Sequence, residues 1–185
     1  SSGITVGSNA YLQSVKIIGS GSAGISGSSA SLYVIGCLIY NNSGRGISTG
    51  ANLYVNFSSI IGNGSDGIYS GSKRAEILNT EVKNNSGKGI EFHNHYSANN
   101  SGGVTNPSII EKSIISNNGT TGIYHYYAST YYDYSIITDN PTNINAYRTA
   151  INMNNSIVKN YSGSGLIFNQ GTYNRFLIIC PICFK

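Results

Sequence analysis

The stretch NNSGKGI at residues 84–90 repeats NNSGRGI at residues 41–47, and both end on an isoleucine that follows a glycine. This pair, a small residue and then an aliphatic one, recurs along the whole chain. We call the aliphatic residues the anchors: Ile4, Ile25, Ile47, Ile68, Ile90, Ile123, Ile144 and Leu166, spaced by 21, 22, 21, 22, 33, 21 and 22 residues. Self-similarity at such a period indicates a repeat architecture. The residue before each anchor is Gly or, once, Asn143, which predicts a turn with positive φ at this position.

Three further columns keep the register of the anchors. Eight residues before the anchors stand β-branched residues: Ile17, Ile39, Ile60, Val82, Ile115, Ile136 and Val158. Thirteen before stand large, mainly apolar residues: Leu12, Val34, Val55, Ile77, Ile110, Tyr131 and Met153. Five before stand mainly polar residues: Ser20, Asn42, Asn63, Asn85, Asn118, Asp139 and Tyr161. Because β-branched residues suit strands, each repeat is predicted to hold three short strands separated by turns.

These repeats predict an all-β, parallel β-solenoid. No segment shows a sustained helical period. A single repeat is too small to bury a core, whereas stacked repeats bury one between them when each strand pairs with its copy in the next coil. The crossover rule favours a right-handed coil. We therefore expect one domain, residues 1–185, of about eight coils, with aliphatic stacks inside and a ladder of Asn side chains bonding one another.

The chain resembles the right-handed parallel β-helix, or pectate-lyase-like, superfamily. The resemblance covers essentially the whole length and rests on the two quoted stretches and their degraded copies at residues 117–123 and 160–166. It implies the right-handed parallel β-helix fold. It implies no single activity, because that superfamily includes lyases, hydrolases, epimerases, phage tailspikes and surface proteins without known chemistry.

Composition narrows the class of partner. Charged residues make up only 10% of the chain and the net charge is +4, with Lys and Arg spread singly. This distribution disfavours a nucleic-acid surface. The longest apolar run, residues 176–180, is far too short to span a bilayer. We therefore expect neither nucleic acid nor a membrane-spanning segment.

The two ends of the sequence suggest an incomplete piece of an extracellular or cell-surface protein. The first residues already belong to a repeat, and the last stop shortly before another anchor would fall due. The apolar segment 176–184 should either lie over the last coil as a partial strand or remain exposed. It contains the motif Cys180-x-x-Cys183, which has no second cysteine pair and is therefore expected to be neither a zinc site nor a redox site.

One repeat is longer than the others by about half a coil. The step from Ile90 to Ile123 spans 33 residues, and the upstream columns resume at Ile110. The extra residues therefore lie within residues 91–109. Insertions in a solenoid project as loops on one face, which is often the binding face.

The strands that begin at the anchors point their first and third following residues outward. In the coils around the insertion this places Glu91 beside Tyr124, with Tyr69 on its other side, and it places His93 beside Tyr126. His95 and Arg148 flank this row of residues. The expected polysaccharide-binding residues are Tyr69, Tyr124, Tyr126, Tyr127 and Tyr147. Tyrosine rings stack on sugar rings and their hydroxyls hydrogen-bond to sugars, so this face suits a glycan.

The same face offers candidate catalytic groups: His93, Glu91, Tyr124, Tyr126 and Arg148. A calcium-dependent lyase needs clustered acidic ligands, and a glycoside hydrolase needs two carboxylates across the bond, but only Glu91 is evident here. A β-elimination without a metal or cofactor requires a base, an acid and a cation. We assign these roles to His93, to Tyr124 or Tyr126, and to Arg148. By contrast, the inward position of His125 predicts a core histidine.

The sequence therefore supports three hypotheses for function. The first is an extracellular β-helix protein that binds polysaccharide through a Tyr-rich strand face. The second is a metal-free polysaccharide lyase or epimerase that acts on uronate-containing glycans. The third is a purely structural surface rod, similar to a tailspike. The oligomeric state stays open at this stage.

Overall fold

A computed structural model describes residues 1–28, 31–71, 73–93 and 107–169, together with the backbone of residues 176–179. These residues form strands and turns without a helix, in three parallel sheets that we call A, B and C. No segment long and apolar enough to cross a membrane as a helix occurs among them.

The strands are numbered in chain order. Sheet A contains β1 (Ile4–Val6), β4 (Ile25–Gly27), β7 (Ile47–Thr49), β10 (Ile68–Gly71), β13 (Ile90–His93), β16 (Thr121–Tyr126), β19 (Thr142–Tyr147) and β22 (Ser164–Asn169). Sheet B contains β2 (Ala10–Gln13), β5 (Leu32–Ile35), β8 (Leu53–Asn56), β11 (Ala75–Leu78), β14 (Ser108–Glu111), β17 (Thr130–Asp133), β20 (Ile151–Asn154) and β23 (Phe176–Ile179). Sheet C contains β3 (Lys16–Ile18), β6 (Leu38–Tyr40), β9 (Ser59–Ile61), β12 (Glu81–Lys83), β15 (Ile114–Ser116), β18 (Ile136–Thr138) and β21 (Ile157–Lys159).

Each coil contributes one strand to each sheet, and every strand pairs in parallel with its copy in the next coil. The described residues thus form seven complete coils, and β22 and β23 belong to an eighth. Every anchor pairs with the next anchor in sheet A, including Ile90 with Ile123 across the long step. The predicted parallel β-solenoid and its anchor register are therefore confirmed.

The coil that ends at Ile144 departs from three predicted columns. The predicted members Tyr131, Ile136 and Asp139 are wrong. The residues that occupy the columns are Tyr132, Ile137 and Asn140. The reason is that the turn from Asn140 to Ile144 is one residue shorter than the matching turn from Asn118 to Ile123. Because the predicted columns were counted back from the anchor, each upstream position in this coil was placed one residue too early.

The core is a set of aliphatic stacks. The anchors from Ile25 to Ile144 are fully buried, and so are Ile39, Ile60, Val82, Ile115 and Ile137 of sheet C. Alternation along the strands keeps these side chains inside and sends their neighbours outward. Fully buried stacks of this kind supply the apolar burial that a single repeat lacks.

The predicted ladder of Asn side chains is also present. Each Nδ2 donates to the Oδ1 of the next Asn, at 2.9 to 3.0 Å, along Asn42, Asn63, Asn85, Asn118, Asn140 and Asn143. Asn143 ends the ladder by donating to the Lys159 carbonyl at 2.8 Å. The ladder satisfies amides that would otherwise be buried without partners, which stabilises the turn between sheets C and A.

The glycines before the anchors are explained by close packing and not by the positive φ that we predicted. Positive φ occurs earlier in the same turn, for example at Asn41 and Asn84. At Gly67 an added Cβ would lie 2.6 Å from the Val82 Cγ1 and 2.7 Å from the Gly89 carbonyl oxygen of the next coil. Successive coils therefore leave no room for a side chain at this position.

Several sequence predictions fall at the edge of the described residues. The backbone of Phe176–Ile179 pairs with β20 as the last strand of sheet B, as the partial-strand prediction proposed. Cys180, Cys183 and His95 lie outside the described residues. Cys37 is a free, buried cysteine.

Candidate functional site

The outer face of sheet A gathers the predicted site residues. The register places Glu91 between Tyr69 and Tyr124, and it places His93 beside Tyr126. We call this set the sheet-A patch: Tyr69, Glu91, His93, Tyr124, Tyr126, Tyr127, Tyr147 and Arg148. Its members come from four successive coils whose strands pair in parallel. Along each strand, alternate side chains face outward, and the pairing brings those outward side chains side by side. The adjacency that the sequence predicted is confirmed.

An aromatic stack runs along the axis of the solenoid. The His93 and Tyr126 rings lie 4.7 Å apart between centroids and 13° from parallel, and the Tyr126 and Tyr147 rings lie 5.2 Å apart and 9° from parallel. The inner ring faces therefore cover one another. The stack presents ring edges and hydroxyl groups to solvent, whereas our sequence argument expected ring faces to be available to sugars.

Two residues close the end of the stack. The Tyr127 ring meets Tyr126 edge to face at 4.7 Å and Tyr147 at 5.6 Å. Arg148 Nη1 donates to the Tyr127 hydroxyl at 2.5 Å, and its guanidinium lies 5.5 Å from the centre of the Tyr147 ring. Both residues have positive φ, 52° for Tyr127 and 47° for Arg148, at the turn that leaves sheet A. The turn holds an exposed cation at one end of the patch.

Glu91 is buried and paired. Only 8% of the residue is exposed, and its Oε2 lies 2.8 Å from Lys88 Nζ. Lys88 Nζ also lies 5.3 Å from the centre of the Tyr124 ring. Sequence reasoning missed Lys88, although charged residues stand two positions before three successive anchors. That column, in the order Arg45, Asp66, Lys88, could have identified it.

Arg45, another member of this charged column, packs against Tyr69. The Arg45 guanidinium lies 4.0 Å from the centre of the Tyr69 ring, and Arg45 Nε lies 3.1 Å from Asp66 Oδ2. An added Cβ at Gly71 would meet the same ring at 3.1 Å. The Tyr69 ring therefore occupies the space beside Gly71, where a side chain would otherwise lie.

Tyr124 keeps its proton over a wider pH range than an ordinary tyrosine. Burial raises its pKa, and the Glu91 carboxylate beside it raises the pKa further. A deprotonated phenol would lose solvation and would repel that carboxylate. Tyr124 is therefore a neutral phenol at neutral pH and can donate a hydrogen bond there.

The candidate catalytic groups form two clusters. One joins Glu91, Lys88 and Tyr124, and the other joins His93 with Tyr126. Arg148 follows Tyr147, which lies two strands from His93 in sheet A. Two strand spacings amount to about 10 Å, so Arg148 is not adjacent to His93. Within the described residues, the cation nearest to the carboxylate of the patch is Lys88.

His125 is a core histidine, as predicted. It is fully buried, its Nε2 lies 2.5 Å from the Tyr132 hydroxyl, and its Nδ1 lies 3.2 Å from Thr130 Oγ1. The Phe92 ring packs against it at 5.3 Å. Its ring nitrogens bond to buried hydroxyls, so His125 belongs to the interior and not to the outer patch.

The predicted insertion lies mostly outside the described residues, which resume at Pro107. Strand β13 ends at His93 and β14 begins at Ser108, so the insertion joins the outer edge of the patch in sheet A to sheet B. Among the described residues, no group of three or more His, Cys, Asp or Glu side chains is placed to hold a metal ion.

The comparisons with known proteins support the fold. The family model for a right-handed β-helix region matches residues 1–103, more than half of the chain. No curated protein and no solved structure matches the chain. The family match agrees with the right-handed parallel solenoid that the repeat predicts.

Proposed function

The chain belongs to the right-handed β-helix family, and from that premise we propose that the sheet-A patch binds a polysaccharide chain lying along the axis of the solenoid. The observation that carries this proposal is the stack of His93, Tyr126 and Tyr147 across three successive coils. A polymer with repeating units matches a surface whose chemistry repeats along one direction.

The edges of the stack suit sugar hydroxyls. A tyrosine hydroxyl both donates and accepts hydrogen bonds, and the edge of an aromatic ring carries partial positive charge. Tyr126 and Tyr147 present these groups on two successive coils, about 4.8 Å apart along the axis. Hydroxyl groups spaced in this way offer one polar contact after another to an extended glycan, with little rearrangement of the protein.

The charges of the patch favour an acidic glycan. Arg45 pairs with Asp66 and Lys88 pairs with Glu91, so these four charges balance. Arg148 forms no ion pair within the described residues and lies exposed at the end of the stack. The remaining charge is therefore positive, which suits a chain that carries uronate or other anionic groups. Such a ligand agrees with an extracellular or cell-surface setting.

A metal-free β-elimination on the same glycan is the second candidate. It is favoured by the contact between His93 and Tyr126, which places an imidazole beside a phenol in the patch. In that reaction His93 removes the proton on the carbon next to the uronate carboxyl. The bond to the leaving glycosidic oxygen breaks, a carbon–carbon double bond forms, and a tyrosine gives its proton to that oxygen. To offset the carboxylate charge, Lys88 would exchange its pairing with Glu91 for the uronate, since Arg148 is not adjacent to His93.

One set of assays separates the candidates. Wild type is incubated with polygalacturonate, and both retention on the polymer and absorbance of unsaturated products in the ultraviolet are measured. Binding without products that weakens about tenfold or more in Tyr124→Ala with Tyr126→Ala supports a binding protein. Products that form with wild type and vanish in His93→Ala, even at polymer concentrations that saturate the variant, support a lyase.

The matched control for these variants is Tyr40→Ala, which removes an exposed tyrosine from sheet C in place of sheet A. Wild type that binds no acidic polysaccharide, in a panel that also includes sulfated and uronate polymers, would contradict the proposal. That result would favour the third hypothesis, in which the protein is a purely structural rod.

A further inference from the structure

A second row of tyrosines lies on the outer face of sheet B. The register places Tyr11, Tyr33 and Tyr54 beside one another on successive coils, followed by Glu76. None of these residues belongs to the sheet-A patch. The row occupies the first three coils, whereas the stack of the sheet-A patch begins at His93, directly before the insertion, and continues into the two coils after it.

The regular stacking of this row breaks between Tyr33 and Tyr54. Tyr11 and Tyr33 are stacked at 4.2 Å with only 5° between their planes, but Tyr33 and Tyr54 lie 5.9 Å apart with a tilt of 44°. One face of Tyr33 is covered by Tyr11, and its other face opens toward Tyr54. The diverging rings therefore form an aromatic wedge, which the closed stack of the sheet-A patch does not offer.

The wedge opens into a groove with a volume of about 230 Å³. Its lining includes Tyr33, Asn52, Tyr54, Arg74 and Glu76. Its volume is below the roughly 300–1,000 Å³ of pockets that enclose drug-sized ligands. A site of this size fits one unit of a chain that passes across the surface better than it fits an enclosed small molecule.

The polar wall of the groove is balanced in charge and fixed in place. Arg74 Nη1 lies 2.6 Å from Glu76 Oε1, and Arg74 Nε donates to the Pro107 carbonyl at 3.0 Å. Tyr54 is held by Asn56, whose Nδ2 donates to the Tyr54 hydroxyl at 3.1 Å. These contacts set the side chains before a ligand arrives, which lowers the entropic cost of binding.

We propose that this groove is a second polysaccharide-binding site, in which an uncharged sugar unit lies over the solvent-facing sides of Tyr33 and Tyr54. An open aromatic face packs against the C–H face of a sugar ring, while Arg74, Glu76 and Asn52 bond to its hydroxyls. The internal ion pair leaves no net charge in the groove, so an acidic unit gains nothing there, in contrast to the sheet-A patch.

Two sites of different preference on adjacent sheets make the solenoid a bridge between a neutral and an acidic polysaccharide. The bridging rests on the proposed function of the sheet-A patch, but the binding of a neutral sugar by the groove does not. Because the two sites share no residue, substitutions in one should leave the other intact.

The test measures binding of a neutral β-glucan and of polygalacturonate by wild type and by two double variants. Tyr33→Ala with Tyr54→Ala should weaken retention on the neutral polymer about tenfold or more and leave retention on the acidic polymer unchanged. Tyr124→Ala with Tyr126→Ala should do the reverse. Tyr40→Ala is the control for both, and circular dichroism confirms that each variant is folded.

A variant that changes the charge of the groove, but hardly its shape, tests the preference for neutral sugars in a second way. Glu76→Gln removes the partner of Arg74 and leaves the groove positive, so it should gain affinity for polygalacturonate in the background of Tyr124→Ala with Tyr126→Ala. A sandwich assay tests bridging: protein captured on immobilised polygalacturonate should retain fluorescent β-glucan, and either double variant should lose that retention.

The outcomes separate the two proposals. No binding of neutral β-glucan by wild type, or binding unchanged in Tyr33→Ala with Tyr54→Ala, overturns the groove site. If every variant still binds polygalacturonate while Tyr33→Ala with Tyr54→Ala loses the neutral polymer, the proposed function of the sheet-A patch is overturned. The groove site then still stands.

Discussion

The Nδ2 of Asn85 donates to the Oδ1 of Asn118 at 3.0 Å across 33 residues of sequence, as the Nδ2 of Asn63 donates to Asn85 at 2.9 Å across 22 residues. The insertion therefore leaves the ladder unbroken. Because the extra residues fall between strand β13 of sheet A and strand β14 of sheet B in the sequence, the turn between sheets C and A keeps its register.

Asn85→Ala should lower the free energy of unfolding by about 2–4 kcal/mol, because it leaves several buried polar groups without partners. Asn85 accepts from Asn63 and donates to Asn118 and to the Ile60 carbonyl. The measurement is urea denaturation followed by circular dichroism. Asn52→Ala is the control, since Asn52 is exposed, and a variant at Asn85 no less stable than that control would contradict the role of the ladder.

Gly67→Ala should destabilise the solenoid by about 1–3 kcal/mol, since the new methyl group would press on the next coil. The clash includes the Gly89 carbonyl oxygen at 2.7 Å, which is backbone and has little freedom to move. Gly7→Ala is the matched control, because an added Cβ there has no heavy atom within 4 Å. Thermal midpoints of the two variants provide the comparison, and equal midpoints would show that coils can separate at Gly67 without cost.

Tyr132→Phe should cost about 1–3 kcal/mol by removing a buried hydrogen bond. The Tyr132 hydroxyl lies 2.5 Å from His125 Nε2 in the core. Tyr131→Phe should cost less, about 0.5 kcal/mol, since that ring faces outward and its hydroxyl accepts only a half-buried hydrogen bond from Asn154. The pair of chemical-denaturation curves tests the register of this coil directly: a larger effect at Tyr131 would restore the column that the sequence predicted.

Stability should fall as the pH rises above about 10, the ordinary pKa of tyrosine. Burial raises the pKa of Tyr132 well above that value in the folded protein. The unfolded chain then binds fewer protons than the folded one, so the free energy of unfolding decreases with rising pH. The stabilisation is complete below the ordinary pKa and is lost as the pH climbs toward the raised one.

Comparison of the wild type with Tyr132→Phe isolates this contribution. The difference between their free energies of unfolding should shrink above about pH 10, by at most about 1.4 kcal/mol per pH unit. Urea midpoints measured at several pH values provide the data. Tyr131→Phe should follow the wild-type curve, and a difference for Tyr132→Phe that stays constant with pH would contradict the buried phenol.

Arg148→Gln should weaken binding to polygalacturonate by about two- to fivefold at low salt, the effect expected for one exposed charge. The loss should fade as salt is added, because screening weakens exposed charges. Affinity electrophoresis at several ionic strengths measures both. Lys159→Gln removes an exposed cation from sheet C and should bind like the wild type; equal losses in the two variants would mean that only net charge matters.

The repeat in the sequence was sufficient to predict the fold class and most of the register. A period of 21 to 22 residues sets which residues pair, because every strand of a parallel solenoid meets its own copy one coil later. The neighbours of Glu91 and His93 followed from that rule alone. It also identified the Asn ladder, since a polar column inside an apolar repeat needs partners of its own kind.

The same rule was unable to locate a missing residue within a coil. A coil can lose a residue in the turn before sheet B or in the turn before sheet A, and both losses give the same spacing between anchors. In this coil the turn from Asn140 to Ile144, before sheet A, is the shorter one. Packing decides between them, because Tyr132 fits the interior beside His125 while Tyr131 faces outward.

The period of the sequence determined the solenoid, its sheets and, outside the coil that ends at Ile144, most of the side chains that face out, because strand alternation and coil stacking depend only on position along the chain. Tertiary structure alone decided how those side chains are used. His93, Tyr126 and Tyr147 stack closely while Tyr33 and Tyr54 diverge, and Lys88 pairs with Glu91. Such choices depend on rotamers and on neighbours in adjacent coils, which compete for the same space and cannot be read from a repeat length.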